Sequence, residues 1–252
     1  MQAAQHRGST KALVAGILDR ATHNSAAFRT GHELLPAGRS GGKWRAGDLA
    51  RLGHAQLLRI RFARVKQSSS SGAVSTWECS VHDANHAANG GHLEAVRELR
   101  AHGIHCTFLG ASWAAMNGHS DVVHDLRAHG IECAEWSGDW AAENGHLEMI
   151  HDLLRERGIH CTEDGANAAA EHGHLEVVRD LRERGIHCTA RGADRAARNG
   201  HIDVVRDLAE HGIYCTSDGA DRAAWDGNVE LVRLLRSHGV HCTSKGVDLA
   251  AS

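Results

Sequence analysis

One turn recurs through most of this chain and narrows what it can fold into. A glycine, an aliphatic residue, any residue and a cysteine stand together six times, opened by Gly103, Gly130, Gly158, Gly185, Gly212 and Gly239. The steps between them are 27, 28, 27, 27 and 27 residues. A further copy lies upstream, with Cys79 and His92 in register but its opening turn lost. A fixed period of this length means like supersecondary units, each leaning on its neighbours. Six copies exceed the three or so that a stable stack needs.

The copies read as pairs of short helices. In the clearest, Gly185 to His211, the first helix is signalled by Gly192, Ala193 and Asp194, followed by Ala196 and Ala197. Paired alanines form helix well and let a neighbouring backbone come close. Gly200 and His201 then break the helix. The second helix carries Ile202, Val204, Val205 and Leu208 at i, i+2, i+3 and i+6, roughly one helical stripe. An acid near its start (Glu94, Asp121, Glu148, Glu176, Asp203, Glu230) and Arg or His toward its end suit the helix dipole. The next glycine is a natural C-terminal stop. A pair this small cannot bury its apolar face alone, so the reading is an all-α, helix-turn-helix repeat solenoid.

These residues resemble the ankyrin repeat: Ala-Ala-x-x-Gly-His, an apolar helix, then a glycine turn. The usual unit of that family carries Thr-Pro-Leu-His before the alanines, where this chain has Gly-Ala-Asp. It carries Gly-Ala-Asp-Val-Asn after the second helix, where this chain has Gly-Ile-His-Cys-Thr. The shortened segment is the family's projecting β-hairpin, and the short form is similar to arrays encoded by giant DNA viruses of amoebae. The resemblance covers about residues 74–252. It implies an ankyrin-like scaffold fold, which by itself names no function.

Upstream the pattern decays. Residues 1–73 read as a basic, irregular N-terminal region with one or two degenerate copies and a Ser-rich linker. The clearer copy runs from Trp44 to Phe62, with Ala50, Gly53, His54, Leu57 and Leu58 in register; Ala27 to Leu35 is a fainter one. Residues 65–75 form the flexible linker. Residues 74–252 hold the array of six copies and a C-terminal half copy ending at Ser252. Fraying is expected from about Lys245, with the greatest internal mobility at Ser68–Ser71. Charge divides similarly: residues 1–70 carry 12 Lys/Arg and three acids, residues 71–252 carry 16 and 28. The basic part reads as an Arg-biased extension or as an arm for nucleic acid or an acidic surface. The longest clean apolar run, Ala12 to Leu18, is far short of the about 20 residues of a spanning helix. No export signal is read, and the expected location is the cytoplasm (of the host, if viral) or the nucleus.

Most residues that could carry chemistry fall into repeating slots. The seven cysteines (79, 106, 133, 161, 188, 215, 242) occupy one slot. Helix layers lie roughly 8–10 Å apart, beyond the about 7 Å between Cα atoms that a disulfide spans. The resemblance places a buried Val in this slot, so the cysteines are read as small, reduced core residues. The pattern His-x-x-His-Cys at 102–106 and 238–242 could ligate zinc. Yet the same slots elsewhere hold Arg157, Arg184, Glu132 and Tyr214, so no metal is expected. The Gly-His histidines (54, 92, 119, 146, 174, 201) are read as tying the inter-helix turn, with Asn228 replacing the last. No triad, phosphate loop or His-Glu-x-x-His stands out, so neither an enzyme nor a cofactor is expected.

The variable slots are more telling. In ankyrin-like stacks the residues just before and just after Ala-Ala face a concave groove. The first slot holds His86, Trp113, Trp140, Ala168, Arg195 and Arg222, the second Asn89, Met116, Glu143, Glu171, Arg198 and Trp225. Trp and Arg are enriched in binding hot spots. The resulting expectation is a monomeric, non-catalytic scaffold that binds a protein through Trp113, Met116, Trp140, Glu143, Arg195, Arg198, Arg222 and Trp225. The groove would have an aromatic end and a basic end, suited to an apolar segment followed by acids. The alternatives are an adaptor whose basic N-terminal region binds nucleic acid or an acidic surface, and a decaying paralogue.

Overall fold

The computed structural model describes residues 45–68, 79–157, 159–244 and 246. The faint copy at Ala27 to Leu35, most of the Ser-rich linker and nearly all of the stretch from Lys245 lie outside them. The described residues form fourteen α-helices and no strand. The chain divides into two compact units, Met1–Ala87 with His92–His105 and Ala88–Gly91 with Cys106–Ser252.

The first unit contains α1 (Ala46–Arg51), α2 (Ala55–Ser68), most of α3 (Val81–Asn89) and α4 (Leu93–Ala101). Residues 46–68 form a helix pair, α1 and α2. Its turn matches those downstream: Gly53 has φ 72°, and the His54 amide donates to the Leu49 carbonyl at 2.9 Å. Ala46, Leu49, Ala50, Leu58 and Phe62 are buried. Helix α2 continues to Ser68, so the start of the Ser-rich segment is helical rather than linker. Phe62 stacks on the His102 ring at 4.2 Å, and Arg59 pairs with Glu98 at 2.6 Å.

The second unit contains α5 (Phe108–Met116), α6 (Ser120–Ala128), α7 (Ser137–Glu143), α8 (Leu147–Arg157), α9 (Glu163–Glu171), α10 (Leu175–Glu183), α11 (Ala190–Arg198), α12 (Ile202–Glu210), α13 (Ser217–Trp225) and α14 (Val229–Ser237). The odd-numbered helices are the first of each pair and pack on one another in series, α5 to α13. They can do so because Ala114, Ala115, Ala141, Ala142, Ala169, Ala170, Ala196 and Ala197 sit fully inside, with no bulk to hold the backbones apart. The second helices α6, α8, α10 and α12 bury the same three apolar positions, Val122, Val123, Leu126; Met149, Ile150, Leu153; Val177, Val178, Leu181; Val204, Val205, Leu208, whereas α14 buries two, Leu231 and Leu235. The fourth stripe position is only half-buried at Leu147, Leu175 and Ile202, and Val229 is exposed. The stripe is thus one residue narrower than its sequence pattern.

Two polar ladders join the copies. Along the first helices, the Asp/Asn after Gly-Ala receives both the amide and the hydroxyl of the next copy's threonine. Asp139 takes Thr162 at 2.6 and 2.8 Å, Asn167 takes Thr189 at 2.9 and 3.2 Å, Asp194 takes Thr216 at 2.7 and 2.8 Å, and Asp221 takes Thr243 at 2.6 and 2.5 Å. The sequence pattern had marked this acid as a helix-start signal, but it lies inside the helix and works on the neighbouring copy. Along the second helices, His151 meets Asp180 at 2.8 Å, and Arg179 meets Asp207 at 2.8 Å with Arg182 beside it. Such bonds orient the stack, while burial of the alanines and aliphatics drives it.

Candidate partner-binding face

The alanine pairs point into the stack, so the residues flanking them lie on the other side of each first helix. Trp113, Met116, Trp140, Glu143, Arg195 and Arg222 are half-buried, and Arg198 and Trp225 are exposed. Residues of adjacent copies meet there: Arg195 Nη1 lies 2.5 Å from Glu171 Oε2 of the copy before it. The two slots therefore share a face across that step.

The aromatic part of this face is broader than the slots alone indicate. The Trp140 ring meets the Trp136 ring at 6.0 Å and 64°, and Trp136 meets Phe108 at 6.2 Å and 81°. Both are edge-to-face arrangements of the favoured kind. Phe108 is 50% exposed and Trp136 43%, values too high for core residues. The slot patterns missed these two. Their own slots held the signal: where Phe108 stands, other copies have Glu135, Glu163, Ala190 and Ser217, and where Trp136 stands, they have Leu109, Asp164, Arg191 and Asp218. Aromatics in mostly polar, exposed slots are not there to fill a core.

The expected basic end does not form as read. Arg195 is neutralised by Glu171. Arg222 donates to Asp226 at 3.0 Å, and its guanidinium sits 4.0 Å above the Trp225 ring. Two of the three arginines thus have acidic partners within reach on the same surface, a pairing the slot-by-slot reading could not see.

The cysteine slot behaves as a core slot. All seven thiols are free, and Cys79, Cys106, Cys161, Cys188 and Cys215 are buried, with Cys133 and Cys242 half-buried. Burial pushes the Cys188 thiol up to about 11, and its Sγ–H donates to the Ala166 carbonyl at 3.2 Å. Among the described residues no group of three or more His, Cys, Asp or Glu is arranged to hold a metal.

The Gly-His histidines do two things. Each backbone amide ties its own turn, as His201 N–H does to Ala196 O at 2.9 Å. The rings of His119, His174 and His201 do not cap the helices that follow. They lie instead over the turn glycine of the preceding copy: a Cβ on Gly173 would come 2.6 Å from His201 Nδ1, and one on Gly145 the same distance from His174 Nδ1. The Glu143 carbonyl of that copy favours a charge on the His174 ring. Asn228 acts differently, capping its own helix by accepting the Leu231 amide at 3.1 Å.

The stacked helix pairs are the ankyrin-repeat fold. Residues 167–209 match the family model described as ankyrin repeats in many copies. Among solved structures the chain is similar to the ankyrin repeat domain of human ASB11, with a TM-score of 0.57, 18% identity, and coverage of 78% of this chain and 98% of that one. It also aligns with the maize pentatricopeptide repeat protein PPR10, at a TM-score of 0.44 and 12% identity over 82% of this chain and 35% of that one. No curated protein gives a significant match to the sequence. No helix among the described residues is long and apolar enough to cross a membrane.

Proposed function

We propose that this chain is a non-catalytic interaction scaffold that binds a protein partner along the face formed by its first helices. The observation that carries this reading is the aromatic cluster of exposed Phe108 and Trp136 with half-buried Trp140, held on stacked helices whose interiors are already filled by alanine. Large apolar rings left at a surface mark interaction sites more often than chance exposure. Trp113 and Met116 extend the same face on α5, and Glu143, Arg198 and Trp225 supply its polar and outer contacts. The partner is a protein, met in the cytoplasm or nucleus by a monomer.

Affinity capture from a cell lysate with the tagged chain, followed by mass spectrometry, tests the proposal. Trp113→Ala combined with Trp140→Ala should lose the captured partners, since truncating a hot-spot tryptophan costs about 2 kcal/mol or more, roughly thirtyfold in affinity. The melting temperature should fall by only a few degrees, because both rings are half-buried. Undiminished capture by a folded double variant would place binding elsewhere, with residues 1–70 next to be tested.

A further inference from the structure

The aromatic end of the face stands in a strongly acidic stretch. Residues 131–176 carry eleven Asp/Glu against two Arg, whereas residues 177–236 carry ten of each. Beside Trp136 lies an open cleft of about 710 Å³, lined by Glu132, Glu135, Trp136 and Asp139 and, across it, by Ile159 and His160. No Lys or Arg is among its described lining residues. Asp139 accepts two hydrogen bonds from Thr162. Glu135 is exposed and forms no ion pair among the described residues. The Trp136 ring is fixed by its two edge contacts, with Phe108 and Trp140.

The same chain displays what such a combination attracts. At the far end of the array an indole and a carboxylate, Trp225 and Asp226, hold a guanidinium between them: Arg222 lies 4.0 Å over the ring while its Nε donates to the carboxylate. A cation over an aromatic face gains from the ring quadrupole, and more so where a carboxylate stands beside it. The cleft at Trp136 has the ring and the carboxylates, with no Lys or Arg among its described lining residues. We infer that this cleft takes a lysine- or arginine-bearing segment of the partner protein, its cation against the Trp136 ring and the Glu135 and Asp139 carboxylates. The inference rests on the scaffold reading above and gives it a polarity: the partner brings positive charge to the aromatic end, rather than acids to a basic end.

Short fluorescein-labelled peptides of alternating Leu and Arg, Leu and Gln, or Leu and Glu test this by fluorescence anisotropy against the full chain. The Arg peptide should bind, more weakly as salt is raised, and the other two should not. Trp136→Ala should weaken it about tenfold, and Glu135→Gln by several-fold, each at an unchanged melting temperature. Stronger binding of the Glu peptide would overturn the inference. So would Arg-peptide binding that is the same in both variants, which would mean diffuse attraction to an acidic surface. If the Trp113→Ala, Trp140→Ala variant loses its lysate partners while Glu135→Gln and Trp136→Ala retain them, the face is real but this cleft is not its cation site.

Discussion

The half-buried rings of His146 and His174 are each a link between two copies, and protonation tests that link. Burial, first of all, lowers the affinity of both for a proton; the ring of His119 opposes a charge on His146, while the Glu143 carbonyl partly favours one on His174. A histidine whose folded value is depressed binds its proton more readily in the unfolded chain. Its stabilising contribution is therefore present above about pH 6.5 and declines as the pH falls below it. The melting temperature should drop between pH 7.5 and pH 5.5, and drop less in the His146→Asn, His174→Asn variant, which borrows the residue found at Asn228. Equal drops would remove the rings from the account. Cysteine gives a second residue-scale expectation. With Cys161 and Cys215 pushed up to about 12 and Cys188 to about 11 by burial, the native protein should react slowly with an aromatic disulfide reagent. Half-buried Cys133 and Cys242 should react first, and rapid modification of Cys188 would contradict its burial. That the slot is core was legible because seven copies share it. That the histidine rings serve the preceding copy was not, because a glycine gives no sign of what lies against it.

At the scale of elements, the junction between the copies beginning at Cys106 and Cys133 departs from the others in three places at once. Elsewhere an Asp or Asn in one first helix lies directly over the next copy's glycine; a Cβ on Gly219 would come 2.6 Å from Asp194 Oδ1. Between α5 and α7 the acid is Ser112, the glycine is Ser137 and the threonine is Ala134, whose amide donates to Ser112 Oγ at 2.9 Å. The shorter Ser112 leaves room for the Cβ of Ser137. Ser112→Asp should thus destabilise the natural chain by about 1–3 kcal/mol through overpacking. The same change should be neutral or stabilising once Ser137→Gly and Ala134→Thr accompany it. Urea unfolding of the single and combined variants measures this coupling, and additive effects would show that the three sites are independent. The paired helices of the array were plain in the sequence. The ladder was hidden because its partners stand 22 or 23 residues apart, and a search for local caps explains Asp194 and Thr216 separately.

For the molecule as a whole, the sequence placed binding on the first helices by resemblance, and the proposed function rests that face on the rings of Phe108, Trp136 and Trp140. Its charge was misjudged for a definite reason. Slots compared one at a time show Arg195 and Arg222 as bare cations, whereas folding brings Glu171 and Asp226 against them. What remains distinctive is an aromatic cluster in an acidic stretch, far in sequence from the basic residues 1–70. Partner capture alone would not establish that this cluster is where binding occurs. Hydroxyl-radical footprinting of the chain with and without its captured partner measures this directly. Oxidation of Trp113, Met116, Trp136 and Trp140 should fall on binding, while exposed Tyr214, in a turn between paired helices, should oxidise as before. Unchanged oxidation of the four, with protection confined to Tyr214 or to residues 1–70, would contradict the account.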